Sequence, residues 1–334
     1  MNKVAVIMLN WNGEKLLKRF LPSVVANTPA QIADVIVADN GSTDNSLSTL
    51  KSDFPTVKII EFDQNYGFAE GYNRAIAICK DYPYTVLLNS DVETPQAWLE
   101  PLFNAMEQNS SVGACQPKIL SVDNKSLFEY AGACGGFIDR NGFPYCRGRI
   151  FSTVETDLGQ YDTPMPIFWA TGAALMVRTN LYLTLGGLDK DFFAHMEEID
   201  LCWRIHLAGH QIMTFPQSHV FHLGGGSLPA SNPRKTYLNF RNNLLLLHKN
   251  LPQADLFTAL LRRRLLDTVA WAKFIICFDF KNAAAILRAH RDFRSMRKAY
   301  KSHPNVNLIK TLPSCRKNII IDYYLRRRHK FNEL

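Results

Sequence analysis

The opening of this chain predicts an α/β fold, a parallel sheet with helices on both faces, and the remainder predicts a basic helical extension. Three observations carry that prediction. Short unbroken apolar runs alternate with helical patterns over roughly the first hundred residues. A polar turn follows each of four successive apolar runs. The charge is also divided: residues 251–334 carry 18 Lys/Arg against 6 Asp/Glu, a balance of +12, while residues 1–250 carry 20 against 24, a balance of −4. With 47% hydrophobic and 20% charged residues in 334, the chain has a globular composition and enough length for a large core.

The runs 4–9, 35–38, 57–62 and 85–88 have strand length, and the patterns at 16–26, 45–51 and 68–78 have helical spacing. Ligands of parallel sheets lie at the carboxyl ends of the strands. Those ends hold Asn10-Trp11-Asn12-Gly13, Asp39-Asn40-Gly41-Ser42, Asn65-Tyr66-Gly67 and Asn89-Ser90-Asp91, four turns that together define one site. Residues 120–165 lack periodicity and suggest a loop or hairpin insertion. Residues 167–178 read as loop and strand, then comes an acidic helix near 197–204, and then two short strands at 211–215 and 219–222. From Tyr237 onward the pattern is helical, with Phe257, Leu260, Leu261, Leu265, Val269, Ala272 and Ile276 at helical spacing around Arg262-Arg263-Arg264.

Several classes of function are excluded or demoted by composition. The seven cysteines are scattered and form no Cys-x-x-Cys pair, so they read as small buried thiols of a reducing cytosol, not as a zinc or dithiol site. The amino-terminal apolar run is too short for a signal peptide, and no run of 18 apolar residues spans a membrane. The basic extension lacks a recognisable nucleic-acid module, so no nucleic-acid partner is expected. Basic helices with an apolar stripe suit an anionic membrane surface instead, and several of these residues also suit packing onto the preceding domain.

The residues able to carry chemistry cluster in a few stretches. In Ala194–Arg204, Glu197, Glu198 and Asp200 bring three carboxylates together at a helix start, and Arg204 shares a face with Asp200. Asp39, at the end of the second strand in Val-Ile-Val-Ala-Asp-Asn-Gly-Ser-Thr-Asp, is placed to accept from a base N–H or a ribose hydroxyl. Asp91, in Leu-Leu-Asn-Ser-Asp-Val, is placed to hold a divalent cation with positions left open for phosphate oxygens. His222 precedes Leu-Gly-Gly-Gly-Ser, where an imidazole completes such a site and glycines let backbone approach phosphates.

These stretches, with Gly-Gly-Leu-Asp at 186–189 and Phe192-Phe193, together resemble the family 2 glycosyltransferases over residues 1–250. The resemblance implies a GT-A fold: a Rossmann-like nucleotide-binding half with a mixed central sheet at about 1–115, an acceptor half at about 116–250, and the helical extension 251–334 lying outside the motifs. The closest likeness is to bacterial rhamnosyltransferase-like enzymes of cell-surface polysaccharide assembly. The resemblance implies inverting transfer from a UDP- or dTDP-sugar to a hydroxyl of a saccharide acceptor linked to polyprenyl diphosphate. It places Glu198 as the base catalyst, where relatives usually have Glu-Asp and this chain has Glu197-Glu198.

Nucleotide binding falls on Asn10, Trp11, Asn12, Asp39, Asn65, Asn73, Asn89 and Ser90, and Mg²⁺ or Mn²⁺ on Asp91 and His222. Here Asn89 stands at the first position of the family's Asp-x-Asp. Ser227, Lys235, Tyr237 and Arg241 are expected over the diphosphate as a lid. Trp169, Thr171, Gly172, Glu197, Asp200 and Arg204 are expected around the donor sugar and acceptor. A cytoplasmic location, peripheral on the inner membrane face, follows by analogy. A sugar-1-phosphate nucleotidyltransferase needs a Gly-rich basic loop where this chain has Asn10-Trp11-Asn12-Gly13-Glu14, and a non-catalytic scaffold member remains the other alternative.

Overall fold

Strands that read as unbroken apolar runs take the middle of a sheet, because both of their faces are covered by helices. The computed structural model describes residues 2–224 and 232–334. It begins β1 (Val4–Asn10), α1 (Glu14–Asn27), β2 (Ala33–Asp39), α2 (Ser46–Asp53), β3 (Lys58–Glu61), α3 (Gly67–Ile78) and β4 (Tyr84–Leu88), so the predicted alternation is present within a few residues at each end. β5 (Val92–Glu93), α4 (Glu100–Gln108) and β6 (Val112–Ser121) follow. A separate antiparallel sheet comes next: β7 (Gly136–Ile138), β8 (Pro144–Cys146), β9 (Arg149–Ile150) and β10 (Thr153–Val154). The insertion expected at 120–165 is therefore partly a small sheet.

The chain returns to the main sheet through β11 (Met165–Pro166), β12 (Ala174–Arg178), α5 (Thr179–Thr184), α6 (Glu197–Leu207) and β13 (Gln211–His222). Three long helices follow: α7 (Pro233–Asn250), α8 (Gln253–Ile276) and α9 (Phe280–Met296). Main-sheet order is β11-β13-β6-β12-β4-β1-β2-β3, with β5 beside β13. β3, β2, β1 and β4 run parallel. β12 is antiparallel to both β4 and β6, and β13 is parallel to β6. Two reversals restore direction, so β6 and β13 end at the same edge as β1, β2 and β4. That topology brings His222, far along the chain, to the edge that carries the first four turns.

The two strands expected at 211–215 and 219–222 are one, interrupted by a register shift between Thr214 and His219. Pro216 lies in that irregularity, where a missing N–H costs no ladder bond. The extension does not stand apart. Phe293, Leu308, Cys315 and Ile319 join the cluster built by Trp169, Trp203 and Leu245. Near the end of the chain, Phe331 packs on Phe137 and Tyr145, and its N–H donates to Glu155. Six cysteines are buried, Cys277 is exposed, and all are free thiols. Among the described residues no helix is long and apolar enough to cross a membrane.

Candidate active site at the carboxyl edge of the sheet

The first three turns are locked to one another. Asn10 donates from Nδ2 to Asp39 Oδ2 at 2.9 Å, and Asp39 Oδ1 accepts from Ser42 N at 2.8 Å. Asn12 accepts from Thr43 N at 2.7 Å. Gly41 adopts φ +72°, and a Cβ there would lie 2.5 Å from the Gln64 backbone, so this crossing admits only glycine. Asn40 ties the second turn to the third, donating to Asn65 Oδ1 at 3.0 Å and accepting from Tyr66 N at 2.9 Å. Asp39 is fully enclosed with both oxygens engaged, so it shapes the floor of the edge. Each oxygen keeps an acceptor site, but with no exposed surface Asp39 meets a base only if the floor around it opens. Trp11 stands exposed above this floor.

Beside that floor, Asp91 and His222 face each other. The His222 Nε2 lies 3.1 Å from Asp91 Oδ1 and 3.3 Å from Asn89 Nδ2, and its Nδ1 lies 3.5 Å from Glu129 Oε2. Burial opposes the charged imidazole, yet the two carboxylates overcome it and hold His222 up to about 10. Burial likewise works against ionised Asp91, and His222 keeps its carboxyl below the usual range. A protonated imidazole cannot ligate, so a metal ion at this pair would have to displace the His222 proton.

The residues fit a divalent ion. A carboxylate oxygen and an imidazole nitrogen about 3 Å apart match neighbouring ligands of one small cation. A second carboxylate on the far imidazole nitrogen is the arrangement that orients metal-binding histidines. Among the described residues no group of three or more His, Cys, Asp or Glu side chains is placed to hold a metal ion, so any such ion would rest on the Asp91–His222 pair alone. Glu129 lay outside the sequence expectations. Its only signal there is an acidic residue in an irregular stretch.

The acidic helix is presented by a strained segment. Phe193, His195 and Met196 have φ of 66°, 69° and 75°, left-handed conformations that bulky residues rarely adopt. Asn242 on α7 holds the segment by donating to the carbonyls of Phe192, Ala194 and His195 at 2.7–2.9 Å. Arg241 adds bonds to the carbonyls of Asp191 and Phe192. Glu197 and Glu198 open α6 directly after it, and each has a buried Oε2 without a hydrogen-bond partner. Burial pushes the Glu198 carboxyl up to about 7, and burial with the adjacent Glu198 charge pushes Glu197 well above its ordinary value. Gly172 adjoins Glu198, since a Cβ built there would lie 3.9 Å from the Glu198 Cβ. Next to it, Ala173 O accepts from Asn89 N at 3.0 Å, which ties Glu198 to the Asp91 turn through a few residues.

Other expected residues are placed differently. Trp169 is buried with its indole N–H on Phe137 O, and Thr171 is enclosed with its N–H on Gln116, so both build the core behind the site. Asn73 staples α3 to the 182–188 segment, accepting from Tyr182 Oη and Leu188 N. Asn65 is spent on Asn40 and Gly67 N. Asp200 is fully buried and pairs with Arg204 at 2.7 Å and Lys249 at 2.8 Å, a structural knot under α6. The lid expectation is corrected for two residues: Arg241 is buried in the clamp, and Tyr237 donates to Asp292. Lys235 lies over the Tyr130 ring at 5.7 Å, beside the same pocket wall as Arg149. Ser90 is half-buried in the Asp91 turn, and Ser227 lies outside the described residues.

Comparison with known proteins agrees with this geometry. The family model "Glycosyl transferase family 2" matches residues 5–159. An N-acetylglucosaminyl-diphospho-decaprenol L-rhamnosyltransferase of Mycobacterium tuberculosis is 26% identical over 232 residues, covering 65% of this chain and 75% of that protein. The rhamnosyltransferase WbbL of Escherichia coli is 28% identical over 173 residues, covering 47% of this chain and 61% of the relative. Among solved structures, GalNAc-T7 with UDP, GalNAc and Mn²⁺ superposes with a TM-score of 0.59 at 17% identity, over 76% of this chain and 49% of that one. The mixed sheet, its loaded carboxyl edge and these likenesses converge: the chain has a GT-A fold, and over residues 5–159 it matches the family 2 glycosyltransferases.

Proposed function

We propose that the protein is an inverting transferase that moves a sugar from a UDP- or dTDP-sugar to a hydroxyl of a lipid-linked saccharide, in cell-surface polysaccharide assembly. The observation that carries this reading is Glu198: a carboxylate with an unpaired, enclosed oxygen, pushed up to about 7 and set beside Gly172, whose neighbour Ala173 accepts from Asn89 N in the Asp91 turn. Glu198 takes the proton of the acceptor hydroxyl as that oxygen bonds to the anomeric carbon and the bond to the diphosphate breaks. One proton and one bond change hands, so no redox partner is needed.

Asp91 and His222 would hold Mg²⁺ or Mn²⁺, and such an ion supplies positive charge to the departing diphosphate. Glu129, 3.5 Å from His222 Nδ1, would orient that ring, Asn10 and Asp39 would form the nucleotide floor, and Lys235 adds a cation near Glu129. The lipid-linked acceptor is supported by the name of the decaprenol rhamnosyltransferase, and a nucleotide donor and a metal by the UDP and Mn²⁺ in the GalNAc-T7 crystal. Residues 1–250 are taken as the transferase unit and 251–334 as an extension packed on it, facing an anionic membrane from the cytoplasmic side.

Melting the protein with UDP, dTDP, GDP or CMP, each with and without Mn²⁺, tests the donor site. A nucleotide at about a hundred times its dissociation constant stabilises by about 2.7 kcal/mol, a rise of several degrees. A Mn²⁺-dependent rise confined to UDP or dTDP is expected. No rise with any nucleotide contradicts the transferase reading and favours a non-catalytic scaffold.

A further inference from the structure

α8 is amphipathic in an unusual sense, because its most apolar arc points away from the protein. Phe257, Leu261, Leu265, Val269 and Ile276 are between 47% and 78% exposed. At 100° per residue they occupy an arc of about 120° and run about 28 Å along the helix. The inward face is the more polar one at its centre, holding Arg263 paired with Asp267 at 2.6 Å. Arg264 borders the outward arc on one side, and Arg262 and Lys273 border it on the other. All three are exposed, and none is ion-paired among the described residues.

α8 has two acidic residues. Asp267 faces inward and Asp255 is taken up by Lys310 and Asn307, so neither lies on the arc. The apolar surface continues past the helix end in Phe278 and Phe280, both exposed. It also continues into a groove of about 560 Å³ between α8 and α9, with Leu260 and Phe293 in its floor and Arg294 and Arg297 on its rim.

A contiguous apolar face of this size marks a binding surface. Its occupant follows from the charge. Unpaired cations along both flanks of an apolar arc match anionic headgroups on either side of a helix lying in the membrane interface. We propose that the outward face of α8 is the membrane-docking element of this protein, lying flat in the surface of an anionic phospholipid bilayer. Phe257, Leu261, Leu265, Val269 and Ile276 enter the acyl boundary, while Arg262, Arg264 and Lys273 meet phosphates. This deepens the functional reading, on which a lipid-linked acceptor places the reaction at a membrane, yet its test does not depend on that reading.

The test is sedimentation of the full chain with vesicles of phosphatidylcholine alone and of phosphatidylcholine with phosphatidylglycerol in equal parts. Wild type is expected to pellet with the anionic vesicles, less so at high salt, and weakly with the neutral ones. The double variant Leu265→Glu/Val269→Glu is expected to lose roughly tenfold or more of that affinity, and Arg262→Glu/Arg264→Glu a similar factor. Both variants should keep the wild-type melting temperature and its nucleotide-induced rise, which separates failure of docking from failure of the transferase reading. Wild type that pellets with neither vesicle overturns the proposal, as does Leu265→Glu/Val269→Glu binding as tightly as wild type. A wild-type dimer that the double variant dissociates, without vesicle binding, gives the face to a second copy and equally overturns it.

Discussion

Glu197 and Glu198 are adjacent in sequence and both start α6, yet their surroundings give them different work. Glu197 is buried next to a second carboxylate, and burial with that charge holds its carboxyl well above the ordinary value. Glu198 borders the Gly172 wall and titrates near neutrality, where a base is most effective. With Glu198 in its proposed role, a base works when ionised, so kcat/KM should fall about tenfold per pH unit below about 7 and level off above it. The stability sign is the opposite. A carboxyl whose folded pKa is raised from 4.5 to about 7 stabilises below its unfolded value, and that contribution is lost as pH rises through about 7. Glu198→Gln should therefore melt higher than wild type near pH 8, with the advantage shrinking toward pH 5 or so; equal melting at both would contradict the burial. At the neighbouring pocket, Glu129→Ala should weaken Mn²⁺ binding about 10- to 100-fold by calorimetry, since the His222 ring loses its orienting carboxylate. Unchanged affinity would remove Glu129 from the site. Asp39, Asp91, His222 and Glu198 were legible in the sequence because each follows an apolar run or opens a helix. Glu129 was not, because a lone acid in an aperiodic stretch carries no pattern until β6 and β13 bring it to His222.

The elements of the first ninety or so residues were legible because their strands are short apolar runs, each closed by a polar turn. Contacts between distant segments were not. Tyr237 and Arg241 share a helix face with an expected lid, but α7 turns Arg241 inward and spends it, with Asn242, on the 191–195 carbonyls. Nothing in a single sequence announces that a helix will clamp a loop fifty or so positions earlier. Three left-handed residues in that loop each cost about 1–3 kcal/mol and persist only because the clamp holds them. Asn242→Ala removes the three bonds to the loop carbonyls and the acceptor of Arg241 Nε, and should destabilise the protein by about 1–3 kcal/mol, read as a drop in melting temperature of several degrees. It should also lower kcat more than nucleotide affinity, since it loosens α6 and leaves the first three turns intact. Loss of nucleotide binding with unchanged kcat would show that the clamp serves another end. The stripe on α8 was visible as periodicity, but only the packing shows that it faces outward.

For the molecule as a whole, the parallel strands and the two reversals at β12 explain why one edge collects all the chemistry. The division of charge belongs to the same scale. Residues 1–250 have a balance of −4 and residues 251–334 one of +12, and the exposed basic flanks of α8 lie on the positive part. The fold class was readable from alternation alone. That the extension rejoins the core through Phe293, Cys315 and Phe331 was not, because those residues are isolated apolar positions in a charged stretch. The central claim is that this edge performs inverting sugar transfer with Glu198 as its base. Its most direct test is the rate of transfer from a UDP- or dTDP-sugar by wild type and by Glu198→Gln, with nucleotide affinity measured on the same samples. The account predicts a loss of about 10²- to 10⁴-fold in the variant with affinity nearly unchanged. Full activity in Glu198→Gln would contradict it.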